Sequence, residues 1–97
     1  MLKKIIWSNN AKRDRSNILA YWIERNKSEH YSAKLNQLFS KAVFNLANHS
    51  LPRRITEFEA VYVVLVKAYK IFFRENEDAI FILRIWDVRQ DPSRLNF

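Results

Sequence analysis

Tyr69-Lys70-Ile71-Phe72-Phe73-Arg74-Glu75, then Asn76-Glu77, then Ala79-Ile80-Phe81-Ile82-Leu83-Arg84-Ile85-Trp86 is the stretch whose reading decides the fold. Two runs rich in β-branched and aromatic residues flank a polar turn, which predicts a hairpin. If Glu75 opposes Asp78, Tyr69 opposes Arg84 and Ile71 opposes Ile82. Alternation then puts Tyr69, Ile71, Phe73, Ile82, Arg84 and Trp86 on one face. Lys70, Phe72, Arg74, Phe81, Leu83 and Asp87 fall on the other. Both faces are largely apolar. One must meet helices, and the other must be covered or form a groove.

Working outward, Tyr62 to Val66 is a further strand, with Lys67-Ala68 as a tight turn. Arg53 to Phe58 is predicted as a strand before it. The first half changes period. Leu2 to Trp7 reads as a short strand, and Ser8, Asn9 or Asn10 caps a helix from Ala11 to Arg25. Ala11, Ile18 and Trp22 form its apolar stripe. Ser28 caps a second helix, Glu29 to Ala47, where Tyr31, Leu35, Leu38, Phe39, Ala42 and Leu46 recur at helical spacing. Leu51-Pro52 stops it. About three residues join the helices, so they pair as an antiparallel hairpin. The expected class is α+β: an N-terminal strand, the helix hairpin, then a four-stranded, mostly antiparallel sheet, β-α-α-β-β-β-β, in one domain over residues 1–97.

The chain has 97 residues, no cysteine, no glycine and a net charge of +7. Without cysteine there are no disulfides and no thiolate chemistry. Without glycine, every turn must use Asn, Asp, Ser, Lys or Pro. The longest apolar run, Ala60 to Val66, is far short of a membrane span, and the N-terminus lacks the apolar stretch of a signal peptide. The expectation is a soluble cytoplasmic protein with no membrane partner. Residues 1–50 hold nine basic and three acidic side chains, and residues 51–97 hold eight and seven. An anionic partner is implied.

At the last hairpin a family resemblance appears. Ala68-Tyr69-Lys70-Ile71-Phe72-Phe73-Arg74 resembles the x-Tyr-Arg-Ile-x-Tyr strand of the RelE/ParE toxin superfamily. Ile82-Leu83-Arg84-Ile85-Trp86-Asp87-Val88-Arg89-Gln90-Asp91-Pro92 resembles its closing Ile-x-x-Ile-x-His-x-Arg-Arg-Asp-Pro strand. The Trp7-Ser8 start and Ala20-Tyr21-Trp22 are similar to its opening. The resemblance implies the toxin half of a type II toxin–antitoxin pair, held by a cognate acidic antitoxin in a hetero-oligomeric complex. It implies one of two activities. RelE-like members cut messenger RNA on the ribosome, and ParE-like members inhibit DNA gyrase. Fold alone does not choose between them.

RNA cleavage through the 2′-hydroxyl needs a base, cations around the phosphorane and an acid. By resemblance, Lys70, Arg89 and Asp87 are the candidate catalytic residues of a RelE-like reading. Lys70 stands where the family strand has Arg, Gln90 replaces the second Arg, and Asp87 replaces a frequent His. Arg53, Arg54, Lys67, Arg74 and Arg84 are the candidate target contacts. Each has a structural alternative: Asp87 as a plain ion-pair partner of Arg89 or Arg84, Lys70 and Arg74 as a solvated rim, and Trp86 as core. His30 and His49 have no metal or triad spacing, and no metal or cofactor is expected. A non-enzymatic nucleic-acid-binding module, using Lys3, Lys4, Lys12, Arg13 and Arg15, is a second reading. An inactive toxin-like scaffold is a third.

Overall fold

Ser8 decides where the first helix begins. The structure, a computed structural model, describes residues 2–48 and 51–97, so His49 lies outside the described residues. Strand β1, Lys4–Trp7, ends at Ser8, whose hydroxyl accepts the Ala11 N–H at 3.0 Å and donates to the Leu83 carbonyl at 2.9 Å. One side chain thus caps helix α1, Asn9–Asn26, and ties it to the sheet. Lys27 ends α1 in the left-handed region at φ 52°, a place glycine usually takes. Helix α2 spans His30–Ala47. Arg15 Nε donates to Asn36 Oδ1 at 2.8 Å, and the Ser32 hydroxyl donates to the Leu19 carbonyl at 2.9 Å. As residues advance on α1, their partners retreat on α2, so the hairpin is antiparallel.

Strands β2 (Arg54–Ile55), β3 (Tyr62–Val66), β4 (Tyr69–Glu75) and β5 (Ala79–Asp87) follow. With β1 they form one five-stranded sheet, ordered β1-β5-β4-β3-β2. β1 runs parallel to β5, and the other pairs are antiparallel. The strand expected over Arg53 to Phe58 shrinks to two residues. Thr56 is the reason: its hydroxyl donates to Val61 O at 2.7 Å and accepts the Phe58 N–H at 3.1 Å, bending the chain locally. Ala60 completes that bend at φ 58°.

The β4–β5 register differs from expectation. Glu75 opposes Ile80, Ile71 opposes Ile85, and Tyr69 opposes Asp87. Two causes act. The Asn76 side chain accepts both the Asp78 and the Ala79 N–H at 2.8 Å, which makes a longer loop than the Asn76-Glu77 turn. A bulge then inserts Leu83 between the residues facing Phe73 and Phe72. Beyond it the faces of β5 exchange. Ile80, Ile82 and Ile85 face the helices with Tyr69, Ile71 and Phe73, while Trp86 turns to the outer face with Phe72. Arg84 and Trp86 therefore leave the face predicted for them, and Asp87 leaves the other.

The helix-side core is closed by Leu35, Phe39, Val43 and Leu46 of α2 and by Ala11 and Trp22 of α1. The outer face has its own smaller cluster of Val61, Phe72 and Trp86. A 3₁₀ turn at Pro92–Arg94 sends the following residues back over it. Phe97 meets Phe58 and Phe72 edge-on, at centroid distances of 5.0 and 5.7 Å. So the second apolar face is covered by the chain itself.

Candidate functional site at the end of the last strand

Asp14 determines the geometry around the end of β5. It lies on the inward stripe of α1, three residues after buried Ala11 and four before Ile18. Its carboxylate accepts Arg84 Nε at 2.7 Å, Arg84 Nη2 at 3.0 Å and the Ile85 N–H at 3.0 Å. The paired strand β1 reaches only Ile82, so beyond that point α1 side chains take over the outer edge of β5. Arg84 also donates Nη1 to Asn96 and lies 5.3 Å from the centre of the Trp86 ring.

A groove of about 920 Å³ opens there, between α1 and the segment after β5. Three arginines line it (Arg84, Arg89, Arg94), and so do three aspartates (Asp14, Asp87, Asp91). It is therefore charge-balanced, although the whole chain carries +7. Asp87 holds Arg89 in a two-pronged pair, with Nε at 3.0 Å and Nη2 at 2.7 Å, and also accepts the Arg89 N–H at 2.8 Å. That guanidinium holds the Asp87 carboxyl below its ordinary range, and the carboxylate pushes Arg89 higher still. Backbone donation from Ser93 lowers Asp91. Burial raises the phenol of Tyr69, which accepts a 2.8 Å hydrogen bond from Trp22 Nε1. Each of these four groups is driven away from neutrality, whereas a general acid or base works best near it.

The candidate residues divide among four places. Asp87 and Arg89 meet in the groove. Lys70 opposes Trp86, so it stands on the outer face, across the sheet from Tyr69 and Asp87. Arg74, opposite Phe81, and Arg54, opposite Val63, share that outer face and are exposed. Lys67 sits at the β3–β4 turn with φ 55°. Arg53 turns inward: it donates to the Leu46 and Leu51 carbonyls and to both oxygens of Glu75, which also accepts from Lys3. It ties the end of α2 to β4. Arg84 is occupied by Asp14 and Asn96. His30 is exposed at the start of α2. Among the described residues no group of three metal-ligating side chains forms. Nor, among them, is any helix long and apolar enough to cross a membrane. Asp14 was not among the sequence candidates. An acid on an otherwise apolar stripe was the available signal.

Residues 5–92 match the model of a family described as ParE toxin of type II toxin-antitoxin system, parDE. The chain belongs to the ParE toxin family. Three solved structures share the fold of this ParE-family chain. The chromosomal ParDE system from P. aeruginosa matches with a TM-score of 0.75 at 20% identity, covering 89% of this chain and 96% of that one. The RelBE2 toxin–antitoxin complex from Mycobacterium tuberculosis matches at 0.62 and 14%, covering 90% and 99%. The E. coli DinJ–YafQ complex matches at 0.53 and 11%, covering 90% and 93%. No curated protein matches in sequence. A toxin of a type II toxin–antitoxin system is thus the functional class of this ParE chain.

Proposed function

We propose that this toxin arrests growth by binding its target rather than by cutting RNA, that DNA gyrase is the target, and that an acidic antitoxin neutralises it in the cytoplasm. The observation that carries this reading is the Asp87–Arg89 pair. It engages one edge of the guanidinium of the motif arginine through Nε and Nη2, in a groove whose other perturbed groups also sit far from neutral pKa. A phosphate entering the groove would meet as many carboxylates as guanidiniums. Lys70, the other candidate cation, stands on the outer sheet face, whereas Asp87, which holds Arg89, faces the helices, and this separation speaks against a shared phosphorane site. An acidic antitoxin is favoured by the net charge of +7 and by the exposed cations Arg54, Lys70 and Arg74.

A RelE-like reading has one observation in its favour. Arg54, Lys70 and Arg74 share the outer face with Phe72 and Trp86, a combination that could grip RNA. The experiment is induction of the lone chain in a host, with message integrity and DNA supercoiling read from the same culture. Growth arrest with intact messages and lost supercoiling is expected. Cut messages with normal supercoiling overturn the proposal.

A further inference from the structure

The first strand and the two helices meet at a second cleft, of about 310 Å³, which shares no residue with the groove beside β5. Trp7 of β1 and Leu19 of α1 give it apolar walls. Lys12, Arg15 and Ser16 of α1 and Asn36 of α2 give it donors. Lys12, Arg15, Ser16 and Leu19 are spaced three or four apart along α1, so they form one stripe of the helix. Arg15, half-buried, is the ordered group among them. Its Nε donates to Asn36 Oδ1 at 2.8 Å, and its guanidinium carbon stands 4.9 Å from the centre of the Trp7 ring.

We infer that this cleft binds a phosphate monoester, the terminal dianionic phosphate of a nucleotide, with Arg15 and Lys12 as its cations.

The way Arg15 is held carries the inference. Arg53, Arg84 and Arg89 are each neutralised by a carboxylate, of Glu75, Asp14 and Asp87. Arg15 is fixed instead by an amide and an indole, which set its direction and leave its charge whole. Its two terminal nitrogens donate to no group among the described residues. A guanidinium so placed offers two parallel donors to two oxygens of one oxyanion. Lys12 is exposed and in no ion pair among the described residues, and it adds a second positive charge. No carboxylate lines the cleft. Asp14 of the same helix turns to Arg84, and Glu24 is taken by Lys27. Two cations without an acid match a dianion better than the single charge of an internal phosphodiester or a carboxylate. The apolar walls keep water from one side and strengthen the attraction. The groove beside β5 lacks this surplus, because its aspartates equal its arginines. The volume is near the lower end of the range for small-ligand sites, which suits a mononucleotide or a strand end rather than a duplex. The inference holds whichever target the toxin arrests.

The test titrates the full, nitrogen-labelled chain with adenosine monophosphate and, separately, with a short single-stranded DNA bearing a 5′-phosphate. Affinity is read from the Trp7 indole N–H and Arg15 Nε–H resonances. Arg15→Ala is expected to weaken binding of both probes by about tenfold or more, read at Trp7. Arg13→Ala removes an exposed cation of the same helix outside the cleft, and is expected to cost less than about twofold. Circular dichroism checks that each variant is folded. If Arg15→Ala melts, Lys12→Glu against Arg13→Glu carries the same comparison with the Arg15–Asn36 bond in place. Adenosine, and the same DNA ending in a 5′-hydroxyl, are expected to bind at least about tenfold more weakly than their phosphorylated forms. Tighter binding of the mononucleotide assigns the site to a free nucleotide, and tighter binding of the DNA assigns it to a strand end; both support the inference. Equal binding of phosphorylated and unphosphorylated probes overturns it, as do equal losses for Arg13→Ala and Arg15→Ala, which mean diffuse charge alone. No movement of either resonance at millimolar probe overturns it as well.

Discussion

Asp14 and Arg84 stand 70 positions apart and meet through two hydrogen bonds of 2.7 and 3.0 Å, with both side chains about 15% exposed. The same carboxylate satisfies the Ile85 N–H, on the edge of β5 that β1, ending opposite Ile82, no longer covers. One acid therefore seats α1 on the sheet and aims Arg84 at the tail. Removing it leaves a half-buried guanidinium and an unpaired N–H.

Asp14→Ala is expected to lower unfolding free energy by about 2–4 kcal/mol. Asp14→Leu combined with Arg84→Met is expected to be milder than Asp14→Leu alone, because no charge is left uncompensated. Urea denaturation of the single and double variants measures this. A loss below about 0.5 kcal/mol for Asp14→Ala contradicts the assigned role.

Glu75 gives a pH signature. Hydrogen bonding by Arg53, and next by Lys3, lowers its carboxyl below the ordinary value despite opposing desolvation. A depressed carboxyl contributes stability that is present above its unfolded pKa and lost as pH falls through the folded one. Acid unfolding of the unaltered chain is thus expected to steepen below about pH 4.5. Glu75→Gln flattens that limb and lowers stability at pH 7. Parallel acid titrations that superimpose for the two proteins contradict the account.

Ala60 holds φ 58° in a chain without glycine. The left-handed region costs a residue with a Cβ about 1–2 kcal/mol, part of which is offset by the larger unfolded-state entropy of glycine. Ala60→Gly is expected to raise stability by about 0.5–1 kcal/mol. Lys67→Gly, at φ 55°, is expected to act in the same direction. Thermal melts decide it, and a fall in Tm for both contradicts it.

Much of the fold was legible. The helical recurrence from Tyr31 to Leu46 and the β-branched runs around Tyr69–Trp86 give element order and class, because periodicity is local. The register was not legible, because it depends on Asn76 making a wider loop and on Leu83 bulging out. Both follow from side-chain hydrogen bonding and packing that no alternation rule carries. The short β2 has the same origin in Thr56. At the site, Asp87 was foreseen as an ion-pair partner of Arg89 or Arg84, and it takes Arg89. Arg84 instead finds Asp14, from the first helix, a pairing that only the tertiary structure brings about. Arg53 was expected to contact a target, yet it closes the end of α2, because helix-terminal carbonyls need donors.

Alanine substitutions separate binding from cleavage by size of effect. Removing a cation from a catalytic cluster costs about 100-fold or more in rate. Removing one contact from a protein interface outside its hot spot costs a few-fold. Arg89→Ala and Lys70→Ala are each expected to shift the dose needed for growth arrest by less than about tenfold. A complete loss of arrest in folded variants of both contradicts binding as the mechanism.

The most direct measurement adds the purified chain to DNA gyrase with relaxed plasmid and, separately, to a translating extract followed by primer extension. The account predicts dose-dependent loss of supercoiling, reversed by the acidic antitoxin, and messages that stay uncut with or without it. New message ends produced while gyrase supercoils normally would contradict it.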